Sequence, residues 1–144
     1  MEGIDNGRRL ALGIGVAYVL VGVLGFFVTG FDDFAGVTDE KLLGIFEINP
    51  LHNIVHLIIG FAGLALWKTA ASARLYGAAL TAGYGLTFLY GLYAAGRADG
   101  ANFLSLNAAD NGLHLVSAVA GVAILAMTRT PAVAPVPSRE RTNV

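Results

Sequence analysis

Long runs of apolar residues without a charge constrain this chain more than any other feature. They occupy residues 10–31, 51–67, 75–96 and 112–128. A helix needs about 20 predominantly apolar residues to cross the hydrocarbon core of a bilayer. The second and fourth runs approach this length if their helices begin a few residues earlier, which gives spans at 49–67 and 108–128. The sequence therefore predicts an all-α membrane protein, with a four-transmembrane-helix bundle within residues 1–130.

The composition agrees with a bilayer environment. Hydrophobic residues make up 56% of the chain and charged residues only 13%, whereas ordinary globular chains are about 25% charged. The net charge of -1 provides no basic field for nucleic acid, so the lipid bilayer is the predicted partner. The chain contains no cysteine, which excludes disulfides, thiolate metal sites and cysteine nucleophiles.

The basic residues predict the orientation of the bundle. Most of them precede the first run, lie between the second and third, or follow the fourth, and such residues favour the cytoplasmic side. We therefore expect a multi-pass protein of the bacterial plasma membrane with both termini in the cytoplasm. The proline-rich residues 131–144 predict a disordered cytoplasmic tail.

The first outer loop contains a pattern typical of a helix start. Thr38 offers a capping hydroxyl, Asp39 and Glu40 follow it, and apolar residues come next. This pattern predicts a short interfacial helix on the outer membrane surface.

An internal repeat relates the two halves of the chain. Residues 49–57 align with residues 107–115 at an offset of 58, with Asn, Asn, His and Leu at matching positions. A weaker match at an offset of 66 relates Tyr18 and Gly25 to Tyr84 and Gly91. The first two helices therefore resemble a helical hairpin that is duplicated in the last two. Both copies would keep one orientation, which predicts a pseudo-twofold axis along the membrane normal.

The polar residues of the repeat have a structural interpretation. Asparagine is a preferred helix N-cap and proline suits the first helical position, while an aspartate in the first turn complements the helix dipole. The remaining asparagines and the histidines would then form hydrogen bonds across the bundle. The residues of this structural motif are Asn49, Pro50, Asn53, Asn107 and Asn111.

The same repeat also has functional interpretations, because polar residues inside a membrane often mark functional sites. His56 and His114 are candidate axial ligands of a haem iron. Alternatively, His52, His56, Asp110 and His114 are candidate ligands of a divalent metal ion. A third interpretation is proton transfer, because histidine titrates near neutral pH. Tyr18 and Tyr84 are interpreted as packing residues, and no motif indicates a catalytic residue.

The motif pair resembles a family of bacterial membrane proteins. The segments that carry the resemblance are Asn49-Pro50-Leu51-His52-Asn53-Ile54-Val55-His56-Leu57 and Asn107-Ala108-Ala109-Asp110-Asn111-Gly112-Leu113-His114-Leu115. They are similar to the family designated domain of unknown function 4383 (DUF4383), and the likeness extends over about residues 8–128. The resemblance implies a four-helix membrane protein and implies no activity.

The first functional hypothesis is a non-enzymatic one: a structural or accessory membrane module, or a subunit of a membrane complex or homo-oligomer. The main alternative is a redox protein that binds haem or a metal ion through the histidines. A second alternative is a small transporter or a proton-linked protein. The sequence leaves open whether the chain is an enzyme, and it favours a non-enzymatic function.

Overall fold

Four α-helices dominate the structure, which is a computed structural model that describes residues 4–129. The predicted tail at residues 131–144 lies outside the described residues. Short strands and a single 3₁₀ turn lie in the two long loops. The elements in chain order are α1 (Asn6–Thr29), β1 (Lys41–Leu42), β2 (Phe46–Glu47), α2 (Pro50–Leu66), α3 (Ala70–Ala94), a 3₁₀ helix (Gly100–Asn102) and α4 (Ala108–Met127).

Two of these helices, α1 and α4, are long and apolar enough to cross a membrane. Helix α2 is also apolar, but it has only 17 residues. Helix α3 has 25 residues and begins before the predicted start at residue 75, so that it includes Arg74. The Arg74 guanidinium donates hydrogen bonds to the carbonyls of Leu125 and Thr128 at the end of α4, at 2.6 and 3.3 Å. A cation is favourable there because the carbonyls at a helix C-terminus carry partial negative charge.

Close backbone contacts pair α1 with α2 and α3 with α4. A methyl group added to Gly60 of α2 would lie 2.5 Å from the Val19 nitrogen of α1. A methyl group added to Gly121 of α4 would lie 2.6 Å from the Gly77 carbonyl oxygen of α3. Small residues permit such an approach between helices, and it is common in membrane bundles. Helices α1 and α2 therefore form one tight hairpin, and α3 and α4 form another.

The prediction of an interfacial helix in the first outer loop is wrong. Strands β1 and β2 form an antiparallel pair there, in which Lys41 lies opposite Glu47. Leu43 and Gly44 have left-handed φ angles of 55° and 75°, which reverse the chain where a helix would have continued. A helix confined to so few residues is also marginal in isolation, because nucleation is costly.

Thr38 has a different role from the predicted cap. Its hydroxyl donates a hydrogen bond to the Ile48 carbonyl at 2.6 Å, and its amide donates to the Ser105 hydroxyl at 3.0 Å. The loop between α1 and α2 is therefore tied to the loop between α3 and α4.

The loop between α3 and α4 contains an exposed ion pair. Arg97 and Asp99 form it at 2.7 Å, and the hydrogen bond from Arg97 lowers the pKa of the Asp99 carboxyl below its ordinary value.

Asn49 connects the α1–α2 loop and the α3–α4 loop to the start of α2. Its side-chain oxygen accepts the His52 amide at 2.9 Å and caps the helix. Its side-chain nitrogen donates to the carbonyls of Gly36 and Phe103, each at 2.8 Å. Asn49 is fully buried. Its repeat partner Asn107 also caps a helix, but its nitrogen donates only to the Ile45 carbonyl, in an exposed position.

We predict that Asn49→Ala destabilises the protein more than Asn107→Ala. Losing an N-cap costs about 1 kcal/mol, which is the cost expected for Asn107→Ala. Asn49→Ala also removes two partly buried hydrogen bonds to the carbonyls of Gly36 and Phe103, and each typically contributes about 0.5–1.5 kcal/mol. Denaturant unfolding of both variants in the same detergent measures the difference. Equal losses of stability would contradict the tethering role of Asn49.

Candidate metal centre

All three histidines of the chain come together inside the bundle. His52 and His56 lie one turn apart on α2, and His114 lies on α4. One ring nitrogen from each histidine lies within 4.8 Å of the other two. The ring centres of His52 and His56 are 4.4 Å apart, and those of His52 and His114 are 5.9 Å apart. We call these three residues the histidine cluster.

The histidine cluster is buried, and one nitrogen of each ring is without a hydrogen-bond partner in the part of the chain that the structure describes. The exposed fractions of His52, His56 and His114 are 2%, 5% and 3%. The Nδ1 atom of each ring is buried and has no hydrogen-bond partner among the described residues. More than about 90% of buried polar groups in proteins have a partner, and leaving one without costs about 1–3 kcal/mol. Three such imidazoles in one cluster make it a candidate site for a bound group.

Two tyrosines pack against the histidine cluster in equivalent positions. The ring centre of Tyr18 lies 5.2 Å from that of His56, and the ring centre of Tyr84 lies 5.3 Å from that of His114. Tyr18 and Tyr84 also stack on each other, at 5.4 Å. The sequence interpretation treated both as general packing residues. The repeat at an offset of 66 was the signal that placed Tyr18 and Tyr84 in matching positions.

Helix capping explains why Asp110 does not join the histidine cluster. Asp110 is the third residue of α4, and its carboxylate accepts the Asn107 amide at 3.0 Å. The Asn107 side chain in turn accepts the Asp110 amide at 3.0 Å, which completes a capping box. The structure therefore brings together three of the four predicted metal ligands and places Asp110 in the cap.

His52 occupies the equivalent third position of α2. An imidazole cannot reproduce the capping box, and the His52 ring lies in the bundle interior instead. The backbones of Leu104 and Glu47 lie beside this ring. Ligating histidines are commonly oriented by a carbonyl next to the other ring nitrogen, so this surrounding suits a metal ligand.

The other asparagines of the motif lie at the helix contacts within each hairpin. Asn53 packs on Gly25 and Asn111 packs on Gly91, which are matching pairs of the repeat. The Asn53 side chain donates a hydrogen bond to the Thr29 hydroxyl at 3.0 Å. Pro50 occupies the first turn of α2, as the sequence predicted. These residues are placed to align the helices rather than to reach the histidine cluster.

The spacing of the histidine cluster suits a metal ion better than haem. The two axial ligands of a haem iron lie on opposite faces of the porphyrin. A third ring nitrogen within 4.8 Å of both would lie in the area that the porphyrin occupies. A divalent ion binds each imidazole nitrogen at about 2.0–2.1 Å, which in a tetrahedral site places two such nitrogens about 3.3 Å apart. Three nitrogens within 4.8 Å of one another would share an ion after an approach of up to about 1.5 Å.

A cavity of about 290 Å³ lies between α2 and α3 and reaches the histidine cluster. We call it the α2–α3 cavity. Its walls are mostly aliphatic, and its polar groups include the three imidazoles and the Tyr84 hydroxyl. The Tyr84 hydroxyl is buried and has no hydrogen-bond partner among residues 4–129. A ligand in this cavity would therefore meet an apolar wall with polar groups at the histidine cluster.

Comparison with known proteins supports the resemblance seen in the sequence. The profile of the family described as a domain of unknown function (DUF4383) matches residues 8–127. Comparisons with curated proteins and with solved structures give no match. The family match covers most of the chain, including all of α2, α3 and α4 and all of α1 except its first two residues. The chain therefore belongs to the DUF4383 family, a domain of unknown function.

Proposed function

We propose that this chain is a four-span protein of the bacterial plasma membrane that binds one divalent transition-metal ion at the histidine cluster. The observation that carries the proposal is the meeting of three buried imidazoles whose Nδ1 atoms have no partner among the described residues. The structural or accessory module, alone or within an oligomer or complex, stays a prediction of the sequence.

The distribution of polar and apolar side chains supports the membrane part of this proposal. Large apolar side chains are exposed on all four helices, among them Phe27 at 84% and Leu86 at 68%. The interior instead holds histidines, asparagines, an aspartate and serine. Soluble proteins rarely expose large contiguous apolar surfaces. Lipid would cover these side chains, while the buried polar groups face one another as they do inside membrane bundles.

Equivalent contacts in the two hairpins support the duplicated arrangement. Tyr18 packs on His56 as Tyr84 packs on His114, and the Gly25–Asn53 contact recurs as Gly91–Asn111. A pseudo-twofold axis along the membrane normal would relate these pairs. It places both hairpins in one orientation, with the histidine cluster in the outer half of the bundle.

The ligand set favours particular metals. Neutral imidazoles suit zinc, copper, nickel and cobalt, whereas calcium and magnesium prefer oxygen ligands. Three protein ligands leave one position of a tetrahedral ion open, which is the arrangement of sites where the metal acts on a further ligand. The α2–α3 cavity reaches the histidine cluster and provides the space for that ligand.

We predict that the purified protein binds one zinc or cobalt ion per chain and that replacing any one of the three histidines by Gln weakens binding. The loss should exceed the roughly 10–100-fold effect of removing an outer-shell partner. Elemental analysis and metal titration in detergent measure both quantities. Asp110→Asn is the matched control, because Asp110 acts in the cap and should leave the affinity unchanged.

The stability of the protein gives a second measure of the same prediction. A metal ion that binds only the folded state stabilises it by about 2.7 kcal/mol at 100 times its Kd. We therefore expect a chelator to lower the Tm of the wild-type protein and to leave that of His56→Gln unchanged. Absence of metal from the wild-type protein at saturating zinc, or equal loading of the histidine variants, would refute the metal site.

We predict that the loop between α2 and α3 faces the cytoplasm and that the loop between α3 and α4 faces outward. The chain has no cysteine, so single cysteines at Lys68 and Gly100 report these two loops without background. Lys68 is exposed, and a Cβ at Gly100 meets nothing within 4 Å. A membrane-impermeant maleimide should label Gly100→Cys in intact spheroplasts, and Lys68→Cys only after lysis. The reverse pattern would overturn the orientation, and equal labelling would overturn the spans.

A further inference from the structure

We infer that the metal site takes a long-chain carboxylate from the bilayer, whose head group supplies the fourth metal ligand and whose hydrocarbon chain lies in the α2–α3 cavity. The inference rests on the proposed metal site and on the proposed membrane location. Three features carry it: the shape of the cavity, its opening between two helices, and the charge of a metal held by three neutral ligands.

The shape of the α2–α3 cavity suits an extended chain. His56 and Leu66 both line it and are ten residues apart on α2. At about 1.5 Å per residue, the cavity therefore extends over roughly 15 Å of the helix. A volume of 290 Å³ spread over that length makes a narrow groove. Its size is near the lower end of small-molecule pockets, which begin at about 300 Å³.

The cavity opens sideways, between the helices. Ile58 of α2 is 64% exposed, and Ala79 and Gly83 of α3 are exposed as well, although all three line the cavity. A Cβ added to Gly83 would meet nothing within 4 Å, so the rim is not closed by a neighbouring side chain. In a membrane this opening faces lipid. The occupant therefore reaches the metal from the bilayer, and its tail replaces lipid contacts with contacts to aliphatic side chains.

The charge of the site indicates the head group. A divalent ion on three neutral imidazoles keeps two positive charges in an apolar surrounding, and buried charge is costly unless it is paired. Asp110 is held in the α4 cap, and among residues 4–129 no carboxylate completes the histidine cluster. An anionic fourth ligand would reduce this charge. A carboxylate would provide one oxygen to the metal. Its second oxygen would be placed to accept a hydrogen bond from Tyr84, whose ring stacks on that of His114 at 5.3 Å and whose buried hydroxyl lies next to that of Tyr18.

The alternative occupant of the fourth position is a metal-bound hydroxide formed from water. It would supply one negative charge but would leave the apolar length of the cavity unused. Added oleate distinguishes the two occupants, because it would change the ligands of the metal only if a carboxylate takes the fourth position. The experiment therefore records the absorption of the bound metal ion itself.

The test loads the full chain with Co²⁺ in detergent and titrates oleate while the visible absorption of the metal is recorded. Methyl oleate, which has the same chain without the anionic head group, is the matched ligand. We expect oleate to shift the Co²⁺ absorption with saturable binding and methyl oleate to leave it unchanged. Tyr84→Phe should keep the Co²⁺ spectrum without oleate and weaken oleate binding by about tenfold or more, since it loses a hydrogen bond to a charged group.

Two positions on α3 separate cavity binding from general effects of a bulky residue. Gly83→Phe places a ring at the cavity, whereas Gly85→Phe places one on the same helix at a residue outside the cavity lining. A Cβ at Gly85 also meets nothing within 4 Å. We expect Gly83→Phe to bind Co²⁺ normally and to lose the oleate response, and Gly85→Phe to match the wild type. Ala79→Phe repeats the blocking test should Gly83→Phe fold poorly.

The outcomes distinguish this inference from the metal site on which it rests. A normal Co²⁺ spectrum that oleate does not change would overturn the inference and leave the metal site standing. An equal response to methyl oleate would overturn the role of the carboxylate. A normal oleate response in both blocking variants would overturn the role of the cavity. Failure of the wild-type protein to bind Co²⁺ would overturn the metal site and the inference together.

Discussion

The hydrogen bond from the His52 amide to the Asn49 side chain determines where α2 begins, and the histidine cluster depends on that start. Side chains four residues apart lie on one face of a helix. Once Asn49 is the N-cap, His52 and His56 must therefore face the same way, toward the interior. Asn49 also ties both outer loops to this helix, through the carbonyls of Gly36 and Phe103. The helix cap, the two loops and the positions of His52 and His56 therefore depend on the same hydrogen bonds of Asn49.

The site arises from a departure from the internal repeat. The repeat itself supplies two equivalent imidazoles, His56 and His114, each packed against an equivalent tyrosine. At the third helical position the two copies differ, with His52 in one and Asp110 in the other. Asp110 completes a capping box and stays at the helix start, whereas the imidazole of His52 enters the bundle. A strictly symmetric repeat with aspartate at both positions would have two capping boxes and only two facing imidazoles.

The sequence predicted the parts of this molecule that depend on local patterns. The helices followed from apolar length, and the starts of α2 and α4 followed from the Asn49 and Asn107 caps. The family was also recognised correctly. The early start of α3 was missed although Thr69 and Ser72 form a local capping box there. The contact of Arg74 with a carbonyl at the end of α4 is distant in the chain, and a local pattern does not predict it. The hairpin in the first outer loop was missed because Thr38 resembled a cap, although its partners are Ile48 and Ser105. The assignment of Tyr18 and Tyr84 to packing is confirmed, because both lie in the buried core. Their position beside the histidine cluster depends on tertiary contacts.

A metal ion at the proposed site would act on the interface between the two hairpins. Within each hairpin the helices touch through glycine backbones, and such contacts have no room to adjust. Between the hairpins, Tyr76 of α3 packs on Gly63 of α2, and the α2–α3 cavity lies beside this contact. A metal ion at the histidine cluster would bridge this interface, because α2 supplies two of its ligands and α4 supplies the third. Binding would therefore draw one hairpin toward the other and change the width of the α2–α3 cavity. An occupant of the cavity would act on the same interface. If both proposed ligands bind there, their binding would be coupled, and by linkage each would change the affinity for the other by the same factor.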